Sequence, residues 1–498
     1  MAGLSAAVDL ATAGFEVTVL ERASAPGGKM RQVRVAGRDM DAGPTVFTLP
    51  TVFDALFDQA GDNFRQRVKL VPAERLARHA WTPSSQLDLY ADVARSADAI
   101  GELSGKADAA GYLRFAADAR RIFDTLDNAF MRSARPSPLA LMRRIGIRNW
   151  SDLVNIQPFV TLFESTARYF SDPRLRQLFS RYATYCGSSP FAAPATLMLI
   201  AHVELSGVWY VEGGMSQVAT QLASLAQRKG AVIRYGESVQ QIGVTRGRVS
   251  GIRTAGGETI AIDALISNAD NNALATGLFG ADARRSVRAT PPNARSLSAI
   301  TWNMLATVQG FDLAHHSVFF GADYHKEFDE IFRQSRVPSC PTIYICAQDR
   351  RDSPVRSAPP LERLLCLINA PATGDNYIYD SLEIAECKTR VLERLQSFGL
   401  RLSSPPEAIV ATTPSDFNRL FPGTGGALYG PASHGWMASF KRTGSRSRLP
   451  GLYLAGGSTH PGAGVPMAAT SGRLAAAALI EDYASIVRLS RVAMRGGT

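Results

Sequence analysis

Gly3-Leu4-Ser5-Ala6-Ala7-Val8-Asp9-Leu10-Ala11-Thr12-Ala13-Gly14, running into Phe15-Glu16-Val17-Thr18-Val19-Leu20-Glu21, is the stretch on which the fold turns. Its first part is small and helix-compatible, and Gly14 stops it. Its second part is an apolar run that reads as a buried strand bounded by an acid. Glu21 follows the helix-opening Gly3 by eighteen positions. A carboxylate placed so, at the end of a second strand, accepts hydrogen bonds from an adenosine ribose in dinucleotide-binding α/β folds. The full fingerprint is Gly-x-Gly-x-x-Gly after a first strand, and its glycines let a pyrophosphate approach the helix N-terminus. Met1-Ala2-Gly3 supplies only the tail of it. A first strand and its turn would need about ten or more residues upstream. Two readings stand: a start assigned too late, at an internal methionine, or a short form with an altered nucleotide site.

Working outward, Pro26-Gly27-Gly28-Lys29-Met30 and Asp41-Ala42-Gly43-Pro44-Thr45 come next. Paired glycines reach conformations closed to other residues and let a cofactor lie against the backbone. Alone they are two tight turns; after a ribose-type acid they favour a flavin site. The far end of the chain answers them. Pro450-Gly451-Leu452-Tyr453-Leu454-Ala455-Gly456-Gly457 is a turn, a short strand and a glycine pair. Ser458-Thr459-His460-Pro461-Gly462-Ala463-Gly464-Val465-Pro466-Met467 leads into a helix over Ala468–Tyr483, with Pro466 suited to its first turn. The plain alternative is a Gly/Pro-rich loop before a surface helix.

The 498 residues are ordinary for a folded globular protein: 46% hydrophobic, 20% charged, 8% aromatic. That excludes disorder, collagen-like repeats and coiled coil as the main architecture. The net charge is +10, without the basic, aromatic-interleaved stripe that nucleic acid would require. An anionic membrane surface suits the modest excess better. Cys186, Cys340, Cys346, Cys366 and Cys387 are odd in number and lack Cys-x-x-Cys spacing, so neither disulfides nor a metal site is expected. A reducing cytoplasmic setting fits them. No leader and no run of 18 apolar residues is found.

Between the two ends, residues 50–200 read as mostly helical, with amphipathic stretches at Asp108–Met131 and Arg174–Tyr185. Charged residues in Arg168–Arg181 could line a tunnel, although an exposed amphipathic helix is the simpler account. A helix over Gln217–Lys229 precedes strands at Ala231–Tyr235, Val239–Val244 and Arg248–Thr254, and a buried strand at Ala264–Asp270. Ser353–Pro360 and Ser403–Pro406 read as connectors. There is no Gly-x-Ser-x-Gly and no His-Glu-x-x-His.

Glu21-Arg22-x(4)-Gly27-Gly28-Lys29 followed by Asp41-Ala42-Gly43-Pro44-Thr45 resembles the carotenoid desaturases of the phytoene desaturase type, FAD enzymes of the amine-oxidase-like flavoproteins. The stretch Asp41–Asp54, Thr424–Gly430, Ser433–Phe440 and Gly456–Gly462 are similar to 1-hydroxycarotenoid 3,4-desaturases of phototrophic bacteria. The resemblance implies a Rossmann-like FAD-binding α/β domain interleaved with a mixed α+β substrate domain. FAD-binding parts would be residues 1–75, 201–270 and 426–498. Substrate parts would be 76–200, helical and membrane-associated, and 271–425.

It further implies that Gly3, Glu21, Arg22, Gly28, Lys29, Gly43, Pro44, Thr45, Val239, Gly456, Gly457, Val465, Pro466 and Met467 hold FAD. Val239 would touch adenine through its backbone, and the helix end at Val465–Met467 would face the flavin. Gly457 stands where many relatives carry an acid. His434 and His460 are weak catalytic candidates, with loop bracing as their alternative, and no general base is assigned.

The implied reaction is desaturation of an acyclic 1-hydroxycarotenoid, with oxygen or a quinone as terminal acceptor. A phytoene or other acyclic carotene desaturase, an amine oxidase, and a non-catalytic isoprenoid-lipid-binding protein are the alternatives. A lipid-soluble substrate implies peripheral attachment to the inner or photosynthetic membrane. Pro138–Trp150, with its arginines, tryptophan and apolar anchors, is a candidate interfacial segment, or else an ordinary packed helix.

Overall fold

The computed structural model describes residues 1–134, 157, 159–351 and 361–495. The helix expected at the start spans Ala2–Thr12, and Gly14 turns the chain out of it at φ +87°. That helix is buried on two sides. Ala7 and Val8 pack with Val218 and Leu222 of the helix Ser216–Arg228. Ala2 and Ala6 pack with Ala475 and Leu479 of the long C-terminal helix Val465–Arg495. The second crossing is so close that a Cβ on Gly472 would lie 2.0 Å from the carbonyl oxygen of Ala2.

Two parallel strand pairs stand beside these helices. Thr18–Glu21 pairs with Val232–Tyr235, and Leu265–Ser267 pairs with Leu452–Leu454. Each pair is a separate two-stranded sheet. Segments 15–21 and 260–270 both border the same large cavity. Val239–Thr245, Arg248–Thr254 and Thr259–Ala261 form an antiparallel three-stranded sheet close to these pairs.

The other half of the molecule is an eight-stranded mixed sheet. Its longest strand is Ser298–Gly310, paired along nine residues with Glu362–Ala370. Alternation along this strand places Ile300, Trp302, Met304 and Ala306 in one core with Phe319, Ile345 and Leu364. Arg75–Thr82 and Ser85–Tyr90 complete the sheet as a hairpin. The described part of residues 50–200 is otherwise mostly helical, as expected, and this hairpin is what that reading left out. The period-two pair Leu87 and Leu89, both buried, is too short to stand out beside the neighbouring helices Val93–Ser104 and Lys106–Leu126.

The helices themselves begin where local chemistry allows. Asp92 accepts the Arg95 N–H, and Asp172 accepts the Arg174 N–H ahead of Pro173. The expected amphipathic stretch Arg174–Tyr185 is an α-helix, Pro173–Ser180, that tightens into a 3-10 turn over Arg181–Cys186. No described helix is long and apolar enough to cross a membrane. Pro138–Trp150 and Ser353–Pro360 lie outside the described residues.

Candidate flavin and substrate site

One side chain joins the two glycine-bearing ends of the chain. Asn268, just past the strand Leu265–Ser267, accepts the Gly3 N–H at 2.9 Å and donates to the Ala455 carbonyl at 3.2 Å. Gly456 sits against it at φ +126°, where a Cβ would come within 2.8 Å of the Asn268 amide nitrogen. Both the sign of φ and the lack of room require glycine here. Arg442, buried, donates to the carbonyls of Gly457 at 2.9 Å and Pro431 at 2.8 Å. It braces the second glycine of the pair.

The two N-terminal glycine loops pack on each other just as closely. A Cβ on Gly43 would fall 1.9 Å from the Lys29 carbonyl oxygen. Asp41 ties this loop to a third turn by accepting the Met215 N–H at 2.8 Å, and burial raises its carboxyl pKa. Lys29 reaches across and donates to the Leu428 carbonyl at 2.7 Å, with burial lowering the pKa of its ammonium. Arg22 donates to the Arg419 carbonyl at 2.9 Å and to Leu420. At the strand end, Glu21 accepts the Ala23 N–H at 2.9 Å and keeps a second oxygen for another donor.

All fourteen residues expected to hold a flavin nucleotide line one cavity of about 3020 Å³: Gly3, Glu21, Arg22, Gly28, Lys29, Gly43, Pro44, Thr45, Val239, Gly456, Gly457, Val465, Pro466 and Met467. A pocket for a single small ligand is about 300–1,000 Å³, so this space accommodates a dinucleotide and a long second molecule together. The helix Val465–Arg495 opens on the cavity wall. Its first-turn N–H groups have no intrahelical acceptor and carry the positive end of the helix dipole. Glycine cradles and a helix N-terminus that donate, with a strand-end carboxylate whose second oxygen can accept, are what FAD requires, and these residues fit it.

The two histidines are placed elsewhere. His434 Nε2 accepts the Ser189 N–H at 2.9 Å, and its ring packs on Phe332. His460 is 1% exposed, with Nε2 3.0 Å from the Phe130 carbonyl. Burial lowers the pKa of each to about 4. Neither lines the cavity, and both brace loops, as the alternative reading of them had it. The simpler account of Arg168–Arg181 is corrected: Arg168 and Arg181 line the cavity. Arg174 instead pairs with Asp172, and Arg176 lies over Phe163.

Sequence reasoning did not find Asn268, Arg442 or Tyr344. They lie on segments far apart in the chain, and no motif spacing announces them. Nor did it anticipate that His315, His316 and Cys346 bring their ligand-type atoms within 4.8 Å of one another. His316 and Cys346 are cross-strand partners, and His315 Nδ1 meets the Arg350 carbonyl at 2.6 Å.

A dinucleotide cradle closed by both chain ends over a deep, largely apolar chamber defines a flavoprotein oxidoreductase. The flavin containing amine oxidoreductase family matches residues 1–480, and the chain belongs to it. Its cofactor is FAD. The chain is 52% identical to hydroxyneurosporene desaturase of Rubrivivax gelatinosus, over its full length and 95% of that protein. It is 43% identical to hydroxyneurosporene desaturase of Rhodobacter capsulatus, over 98% of this chain and 97% of that one. Among solved structures, putrescine oxidase bound to putrescine superposes with a TM-score of 0.59 at 14% identity, covering 96% and 97% of the two chains. That likeness concerns the fold alone.

Proposed function

We propose that this protein is an FAD-dependent desaturase that introduces the C3–C4 double bond into acyclic 1-hydroxycarotenoids, converting 1-hydroxyneurosporene to demethylspheroidene. The observation that carries the reading is the single cavity that joins the flavin-type cradle to an apolar chamber. Similarity along the whole chain to hydroxyneurosporene desaturases supports the choice of substrate.

Bound FAD supplies the two-electron acceptor for hydride leaving the carbon beside the polyene. Gly3, Glu21 and Val239 would hold the adenosine and pyrophosphate. Gly43, Pro44, Thr45, Gly456 and Gly457 would hold the ring end by backbone approach. Val465, Pro466 and Met467 present the positive end of a helix, which favours negative charge on whatever lies against it. The apolar walls, including Leu197, Ile200, Leu365, Leu367 and Phe440, align a rigid polyene and exclude water. A conjugated chain disperses the positive charge that develops, so the neighbouring proton can leave to a weak base or to water.

The substrate arrives from a bilayer, and peripheral attachment to a membrane surface is part of this reading. Phe159 and Trp436 support it: they are 78% and 44% exposed, touch at 5.4 Å between ring centroids, and both line the cavity. The decisive experiment is expression in a host that accumulates 1-hydroxyneurosporene. Demethylspheroidene, with one more conjugated double bond, is the expected pigment. Unchanged pigment with a flavin-loaded protein would overturn the proposal, and desaturation of phytoene alone would move it to the phytoene-type reaction.

A further inference from the structure

A polyene tunnel has little use for charge, yet a guanidinium borders this cavity. Arg181 lines it without a close ion pair: among the described residues no carboxylate oxygen lies within 4.0 Å of its guanidinium, Glu204 acts on it only at longer range, and the guanidinium's hydrogen bond is a 3.4 Å contact to Tyr185 Oη. The guanidinium lies 5.3 Å from the Tyr185 ring and 6.0 Å from the Tyr344 ring. Glu204 lines the same wall, with a buried carboxylate oxygen that has no hydrogen-bond partner. Tyr344 Oη is 2.6 Å from Thr45 Oγ1 and 2.7 Å from His316 Nδ1. The other His316 nitrogen is also buried without a partner. Unmet polar capacity of this kind is costly in an apolar setting; Glu204 carries it on the cavity wall, and His316 carries it behind Tyr344.

Its place matters as much as its chemistry. Thr45 belongs to the Gly43-Pro44-Thr45 loop of the flavin cradle, so the cluster adjoins the reacting end of the cavity. In a 1-hydroxycarotenoid, three single bonds separate the hydroxyl oxygen from C3. That is a reach of about 4 Å for bonds of about 1.5 Å. A group that recognises this hydroxyl must therefore sit beside the flavin cradle and not at the distant end of a long tunnel.

We propose that Arg181, held by Tyr185 and Tyr344 and facing the same space as Glu204, is the binding site for the tertiary hydroxyl of the substrate. Arg181 donates to the hydroxyl oxygen. The network of Tyr344, Thr45 and His316 positions that wall against the cradle. The cluster sets the register of the polyene, so that C3–C4 and no other bond is presented. Arg181 and Tyr344 are thus specificity-determining residues, not acid/base catalysts. The proposal rests on the reading of the protein as a 1-hydroxycarotenoid desaturase.

The test uses the flavin-loaded full chain with carotenoid in liposomes. Dissociation constants for 1-hydroxyneurosporene and for neurosporene are measured by quenching of flavin fluorescence, and turnover is followed separately. Arg181→Leu is expected to lower the preference for the hydroxylated carotenoid by about 10- to 100-fold, as loss of a charged hydrogen bond does. Arg181→Lys should restore part of it, and Tyr344→Phe should weaken it by less than Arg181→Leu. An unchanged binding ratio in flavin-loaded Arg181→Leu and Arg181→Lys, with an active wild type, would overturn the hydroxyl site alone. A flavin-loaded wild type that neither binds nor desaturates 1-hydroxyneurosporene would overturn the functional reading and this site with it.

Discussion

Gly43 is the residue with the least room to change. A methyl group there would meet the Lys29 carbonyl at 1.9 Å, and neither backbone can move without opening the cradle. Gly43→Ala is expected to cost about 1–3 kcal/mol or more and to purify with less flavin, read as absorbance near 450 nm against protein. His460 makes a different kind of prediction. Its folded-state pKa is lowered by burial to about 4, against an ordinary value of 6.5. The unfolded chain therefore takes up a proton that the folded chain refuses. The contribution is fully present above pH 6.5 and is lost as pH falls through about 4. A thermal midpoint that declines across this window is expected, with a flatter decline in His460→Gln. Arg181 was within reach of sequence reasoning but carried no decisive sign. A lone arginine on an amphipathic stretch is usually solvated, and only the turn at Arg181–Cys186 carries it to the cavity wall.

At the scale of elements, the close packing of the first and last helices holds the two chain ends together. Gly472→Val would drive a branched side chain into the Ala2 carbonyl, which a Cβ alone would already approach to 2.0 Å. The expected result is a loss of about 1–3 kcal/mol, seen as a lower thermal midpoint, together with weaker flavin retention. Strong local signals identified several elements from sequence: the helix ended by Gly14, the strand Arg248–Thr254, and the helix begun at Pro466. The hairpin Arg75–Thr82 with Ser85–Tyr90 escapes a local reading because it joins the end of a sheet through His316–Phe319, more than two hundred positions away. Local pattern carries little of that pairing.

For the whole molecule, the open question is how a greasy substrate reaches a buried cradle. Phe159 and Trp436 lie where the cavity meets the surface, and a net charge of +10 favours anionic bilayers. Replacing both, as Phe159→Asp with Trp436→Ser, should lower co-flotation with anionic liposomes several-fold at low salt while flavin content is retained. Equal flotation of variant and wild type would remove Phe159 and Trp436 from the proposed membrane contact, and no flotation of the wild type would overturn that contact itself.

Sequence alone determined the dinucleotide-type ends, the acid at Glu21 and the glycine loops, because each is a local device. A turn that needs φ > 0, a strand end and a helix start are all written within a few adjacent residues. Tertiary structure decided which side chains those devices meet. Asn268 bridging Gly3 and Ala455, Arg442 under Gly457, and Arg181 facing the chamber are contacts between segments far apart in the chain. Their positions follow from how helices and sheets pack, and no short-range periodicity encodes that.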